Sequence, residues 1–180
     1  MSLINEQNPL GIDAIDHLEF TCEDLQTTQM REIFYTLGFA KTYESTNKEQ
    51  QLYSQGQVRF LLTANSDNQS LSNQYYKKHG EGVSKISFLV EDASHALNEA
   101  HRRGAKIVEA LQTTESEHGV YRYGSIQGFG DVLNEFIERP KSFFRPNFTK
   151  LDHDQNAKHL IYRHIGYMND NLPSKYMFAP

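Results

Sequence analysis

The sequence predicts an α+β fold: two βαβββ modules whose curved mixed sheets enclose a shared cavity, followed by an aromatic C-terminal extension. Three observations lead to it. One order of signals (strand, acidic residue, helix, glycine, three short strands) occurs twice between residues 12 and 139. Corresponding positions keep a near-constant offset: His17 and Lys85 lie 68 residues apart, Gly38 and Gly104 66 apart. A unit of this kind cannot bury its own sheet face, so two copies must pack together.

The elements follow in order. Residues 1–11 form a polar lead-in. From Ile12 to Thr21, Leu18 and Phe20 alternate with His17 and Glu19, the period of a strand with two unlike faces. Glu23 and Asp24 place negative charge at the start of a helix over 25–37. Met30, Ile33, Phe34 and Leu37 supply its apolar face, and Gly38 closes it. Strands are expected at 39–45, 50–54 and 58–63, with Gln55-Gly56 as a hairpin turn. A polar loop at 64–72 and a short helix at 73–79 precede the second module. That module repeats the pattern: a strand at 83–90, Asp92 capping a helix over 93–103, and strands at 106–109, 120–126 and 132–138. Gly128 and Gly130 stand before a strand and make a turn, not a phosphate loop.

The extension, 140–180, carries Phe143, Phe144, Phe148, Tyr162, Tyr167 and Tyr176. Aromatic content of this kind predicts docking on the domain or on a partner subunit. Modules of this kind often pair through strand or helix contacts, which makes a homodimer an expected assembly. Residues 154–165 are compatible with a helix.

Composition removes several function classes. The net charge of −5, with no basic stripe, argues against nucleic-acid binding. No run approaches the ~20 apolar residues of a membrane span. The polar N-terminus lacks the apolar core of a secretory signal, so a cytoplasmic setting is expected. One cysteine, Cys22, permits neither an internal disulfide nor a multi-thiolate zinc site, and it reads as a small buried residue.

The residues also resemble a known family. The phrase Asn8-Pro9-Leu10-Gly11-Ile12-Asp13 is followed in order by Leu18-Glu19-Phe20, Leu37-Gly38-Phe39, Leu52-Tyr53-Ser54-Gln55-Gly56, His79-Gly80 and Phe88-Leu89-Val90-Glu91-Asp92-Ala93. This series is similar to the N-terminal half of bacterial 4-hydroxyphenylpyruvate dioxygenase, within the vicinal oxygen chelate superfamily, over roughly residues 8–140. In that family the resemblance implies Fe(II) bound by two His and one Glu in the C-terminal half, with the N-terminal half a metal-free partner. Residues 140–180 do not resemble the C-terminal half.

The superfamily places metal ligands in the middle of each module's first strand and at the end of its last. Carried over, these positions are His17, Leu61, Lys85 and Glu135. Leu61 cannot ligate, and Lys85 would repel a cation. His17 and Glu135 are therefore the candidate ligands for Fe(II) or another divalent metal, with His118 or a tail histidine (His153, His159, His164) as a third. The alternative is a cavity-lining His17 bonded to a carboxylate. Lys85 and Glu135 read either as an ion pair or, with Lys85 turned to a ligand, as part of a site for a small organic anion. Arg59, if its side chain faces inward, and Ser87, two residues after Lys85, would join that site. Glu19 shares the face of His17 and either orients it or is solvated.

The sequence thus points to a dioxygenase-like protein without the catalytic half, non-catalytic or binding a keto-acid-like anion. The competing reading is a divergent metal-dependent enzyme using His17 and Glu135.

Overall fold

The structure is a computed structural model that describes residues 2–64, 70–141 and 143–152. The expected repeat is present. The first module comprises β1 (Ile12–Cys22), α1 (Gln29–Thr36), β2 (Ala40–Ser45), β3 (Gln50–Gln55) and β4 (Val58–Ala64). After α2 (Leu71–His79), the second comprises β5 (Gly82–Val90), α3 (Ala93–Arg102), β6 (Ile107–Ser116), β7 (Gly119–Gln127) and β8 (Leu133–Glu138). A short β9 (Phe148–Lys150) follows.

All nine strands form one curled sheet, ordered β6-β7-β8-β5-β1-β4-β3-β2-β9. Within each module the first strand pairs in parallel with the last, β1 with β4 and β5 with β8. The two first strands pair antiparallel at the centre. That ladder sets His17 opposite Ser87 and Glu19 opposite Lys85. Since 68 residues separate His17 from Lys85 and also Glu19 from Ser87, the central four residues are two copies of one pair of positions, facing each other across the module junction.

The two faces divide the work. On the convex side, Phe34 of α1 meets the rings of Phe20, Phe39, Tyr53 and Phe60 at centroid distances of 5.1–6.2 Å. α3 lays Ala93, Ala96, Leu97 and Ala100 against Phe136. Small residues on α3 let the helix sit close to the sheet, and aromatic rings fill the wider gap under α1. The concave side is lined mainly by polar and charged residues.

Both helices end in the same way. Gly38 and Gly104 have φ of +88° and +97°, and the next residue's N–H returns to a carbonyl of the last turn: Phe39 to Phe34, Ala105 to Ala100. A side chain at either glycine would force a left-handed conformation that it resists.

Two local expectations shift. α1 starts at Gln29 rather than 25, because Asp24 accepts from Gln26 and Thr27 N–H in a separate turn and Thr28 caps the helix. With only eight residues, α1 buries Phe34 and Tyr35, while Ile33 and Leu37 of the expected apolar face stand 52% and 57% exposed. β6 runs on to Ser116, well past 109, since its outer half is an exposed edge whose polar residues gave no hydrophobic alternation.

The segments that flank the repeat pack against the body. Asn8 clamps Ile12 through both its side-chain atoms, at 2.9 and 3.0 Å. After β8, the segment 143–150 crosses the concave face of the first module as a strap. Phe144 is buried with Leu52 and Leu61, and β9 pairs with β2. Residues 153–180, including His153, His159 and His164 and the helix considered at 154–165, lie outside the described residues.

Candidate functional site

β1 positions the site through a bulge. Ile15 pairs with Phe88 and His17 with Ser87, so Asp16 is the extra residue on β1. A bulge turns neighbouring side chains out of strict alternation. Asp16 and His17 are both buried, and both join the polar network.

From His17 the network runs two ways. Nδ1 lies 2.8 Å from Asp16 Oδ2. Nε2 lies 3.2 Å from Ser87 Oγ, which donates to Glu135 Oε2 at 2.7 Å. A hydroxyl has one proton to give. Ser87 gives it to Glu135, so it accepts from His17 Nε2–H. Asp16 is an ionised acceptor: burial pushes its pKa up, but His17 and then Arg139 outweigh this and hold it well below the usual carboxylate range. His17 is thus buried between two carboxylate systems, with Nδ1 toward Asp16 and Nε2 toward Ser87 and, through it, Glu135.

Asp16 also accepts from Arg139 Nε at 3.0 Å and from Arg59 at 3.4 Å. Glu135 is fully buried and holds Lys85 Nζ at 3.3 Å and Arg145 at 3.2 Å. Burial acts to raise its pKa, but Lys85 and Arg145 outweigh burial and lower it to about 2. Lys85 meets two further carboxylates, Glu109 at 3.3 Å and Glu19 at 3.8 Å. These acids keep it charged despite burial. Arg145 comes from the strap. Its Nε donates to Tyr121 Oη at 2.9 Å, and its guanidinium faces the Tyr121 and Tyr123 rings at 5.7 and 5.8 Å.

Two cavities open on this floor. One, of about 610 Å³, is lined by Tyr121, Tyr123, Glu135, Arg145 and Phe148 among others. The second, of about 540 Å³, lies toward α2. Glu19, Asn47, Gln50, Lys85 and Glu109 line both.

The structure brings His17, Lys85, Ser87 and Glu135 together, and the ion pair considered for Lys85 and Glu135 forms. It separates Arg59 from them: its guanidinium binds the Asp16 carboxylate and main-chain carbonyl. Ser87 is fully buried behind the floor. Glu19 is oriented by Thr63 Oγ1 at 2.9 Å and faces Lys85, while Asp16 orients His17. Leu61 belongs to the apolar cluster under Phe144. His118 lies against Glu117 and stacks on Phe143, away from the network. Cys22 is buried, and burial followed by Glu81 and Asp24 pushes its thiol up to about 12, which fits an inert core residue.

The residues present do not fit a divalent ion at His17 and Glu135. Both ring nitrogens are taken by hydrogen-bond partners, both Glu135 oxygens are taken by donors, and Lys85 and Arg145 add positive charge. Among the described residues, no group of three or more His, Cys, Asp or Glu is placed to share an ion. Nor is the Asp16–His17–Ser87 series a hydrolytic triad. The Ser87 proton goes to Glu135, and its Oγ is buried away from both cavities.

Asp16, Glu109, Tyr121, Arg139 and Arg145 were not legible as site residues. Asp16 offered one signal, its place directly before His17. The others reach the basin only through tertiary packing.

Two βαβββ modules joined through their first strands around a common basin define the vicinal oxygen chelate fold. The chain belongs, within that class, to the family described as "Hydroxyphenylpyruvate dioxygenase, HPPD, N-terminal", matched over residues 6–156. Protein MelA of Shewanella colwelliana is 31% identical over 173 residues, covering 94% of this chain and 47% of that protein. The 4-hydroxyphenylpyruvate dioxygenase of Pseudomonas aeruginosa is 29% identical over 137 residues, covering 76% and 37%. Among solved structures, a mutant of 4-hydroxymandelate synthase from Streptomyces coelicolor shares the fold, with a TM-score of 0.68 at 16% identity over 81% of this chain and 43% of the other. The chain spans about half the length, or less, of the relatives it matches.

Proposed function

We propose that this chain is a non-catalytic member of its family that binds a small organic anion, of the keto-acid kind, in the concave basin. The observation that carries the reading is a pair of cations at the cavity wall: Lys85 and Arg145 both line the 610 Å³ cavity, and both pair with the fully buried Glu135. Low-dielectric walls strengthen the attraction of these two cations for an anion.

The shape fits the same reading. Arg145 and Lys85 stand at the floor of the 610 Å³ cavity, and Tyr121, Tyr123 and Phe148 give it aromatic walls. A carboxylate bound by Lys85 and Arg145 with an organic group against the tyrosines uses each feature. The Pseudomonas aeruginosa relative takes its name from 4-hydroxyphenylpyruvate, a keto acid. The non-catalytic half of the proposal rests on the occupied donor atoms of His17 and Glu135.

A thermal-shift screen of organic acids tests the reading, with Lys85→Met beside the parent. Keto acids should raise the parent's Tm in a concentration-dependent way and leave Lys85→Met unmoved. Equal shifts in both proteins, or none in either, would count against it. The proposal keeps the cytoplasmic homodimer expected from the sequence, and sedimentation velocity reads the dimer.

A further inference from the structure

Glu109 is held unlike the other acids of the network. Glu19 and Glu135 stand on interior strands and are almost fully buried. Glu109 stands on β6, the edge strand of the sheet, and its side chain is 28% exposed. The β6–β7 ladder breaks register on both sides of it, between Ile107 and Glu109 and again between Glu109 and Gln112. Bulges re-aim a side chain, and an edge strand can adjust without disturbing a neighbour beyond it.

The contacts of Glu109 are few and polar. Its Oε2 accepts from Lys85 Nζ at 3.3 Å and from Ser125 Oγ at 2.7 Å. The carboxylate lines both cavities, as does Lys85. Of the three carboxylates at Lys85, Glu109 is the most exposed: its side chain is 28% exposed, against 6% for Glu19 and 0% for Glu135.

We infer that Glu109 is a displaceable stand-in for the ligand's carboxylate: it neutralises Lys85 in the empty basin, and an entering organic acid takes its place. The inference rests on the anion-binding reading above and adds the residue that sets its affinity and selectivity. Exchange of one carboxylate for another keeps Lys85 paired throughout, so binding avoids a buried, unpartnered ammonium. It also limits affinity, because every ligand competes with a tethered acid already in place. Neutral ligands gain nothing from displacing Glu109, so the device selects for acids.

Calorimetric titration with phenylpyruvate, and with its neutral methyl ester as control, tests the exchange in parent, Glu109→Gln and Ser125→Ala proteins. Glu109 is at an exposed edge, so Glu109→Gln should fold as the parent does, which circular dichroism checks. Removing the competing charge should tighten phenylpyruvate by about tenfold, the equivalent of one partly buried charge pair. Ser125→Ala, which removes a tether but not the charge, should tighten it by a smaller factor. The ester should bind no protein better than another. Binding to the parent that Glu109→Gln leaves unchanged or weakens would overturn the stand-in role and leave the anion site intact. Absence of binding to parent and variants alike would overturn both readings.

Discussion

His17 Nε2 and Ser87 Oγ stand 3.2 Å apart, and the two residues are direct cross-strand partners where the two modules meet. The bond joins the network around Asp16 to the network around Glu135. Ser87→Ala keeps the fold's shape but leaves a buried Nε2–H without an acceptor and removes a donor from Glu135. Each orphaned buried group costs on the order of 1–3 kcal/mol, so a loss of about 3 kcal/mol is expected in urea unfolding. A loss below about 0.5 kcal/mol would mean that the bond does not form.

Asp16 offers a contrast between two arginines on one carboxylate. The Arg139 side chain is 4% exposed and that of Arg59 30%. Arg59→Met should cost about 1 kcal/mol or less, because water screens the exposed pair. Asp16→Asn strands Arg139 as a buried cation and should cost about 3–5 kcal/mol. Similar losses in both variants would contradict the assigned burial.

The carboxylates make stability depend on acid. Glu135 is held at about 2, below its ordinary 4.5, and Asp16 is lowered also. The folded protein binds these protons more weakly than the unfolded chain does. The stabilisation is therefore complete above pH 4.5 and is lost as pH falls from there toward 2. Glu135 alone contributes about 3 kcal/mol over that window. Unfolding free energies measured from pH 7 to 2.5 should fall mainly below 4.5, and Glu135→Gln should flatten the slope.

The strap is anchored by an aromatic plug. Phe144 packs edge-on against His17 at 5.4 Å and against Phe148 at 5.2 Å, over Leu52 and Leu61. Phe144→Ala should cost about 3–5 kcal/mol and expose 140–150 to limited proteolysis before the modules unfold. Cleavage there at the parent's rate would show that Phe144 does not hold the strap.

The fold was legible because its signals are local and occur twice. Period-2 strands, the Asp92 cap and the glycines at 38 and 104 each specify an element without help from the rest of the chain. His17, Lys85 and Glu135 were legible through the ligand positions that the family resemblance implies, and Ser87 through alternation, two residues after Lys85. Asp16 was hidden by the bulge, which breaks that alternation. Arg145 was hidden because the strap returns it to the basin from beyond the repeat, and Glu109 because two irregularities break the register of its strand. For Arg59 alternation left an inward and a solvated side chain both open, and Asp16, buried within reach, holds its guanidinium.

The central claim is that His17 and Glu135 serve a salt network rather than a metal. Elemental analysis after anaerobic Fe(II) loading tests it most directly, with His17→Ala and Glu135→Ala beside the parent. The account predicts no stoichiometric metal in any of the three. One metal per chain in the parent, lost in both variants, would contradict it.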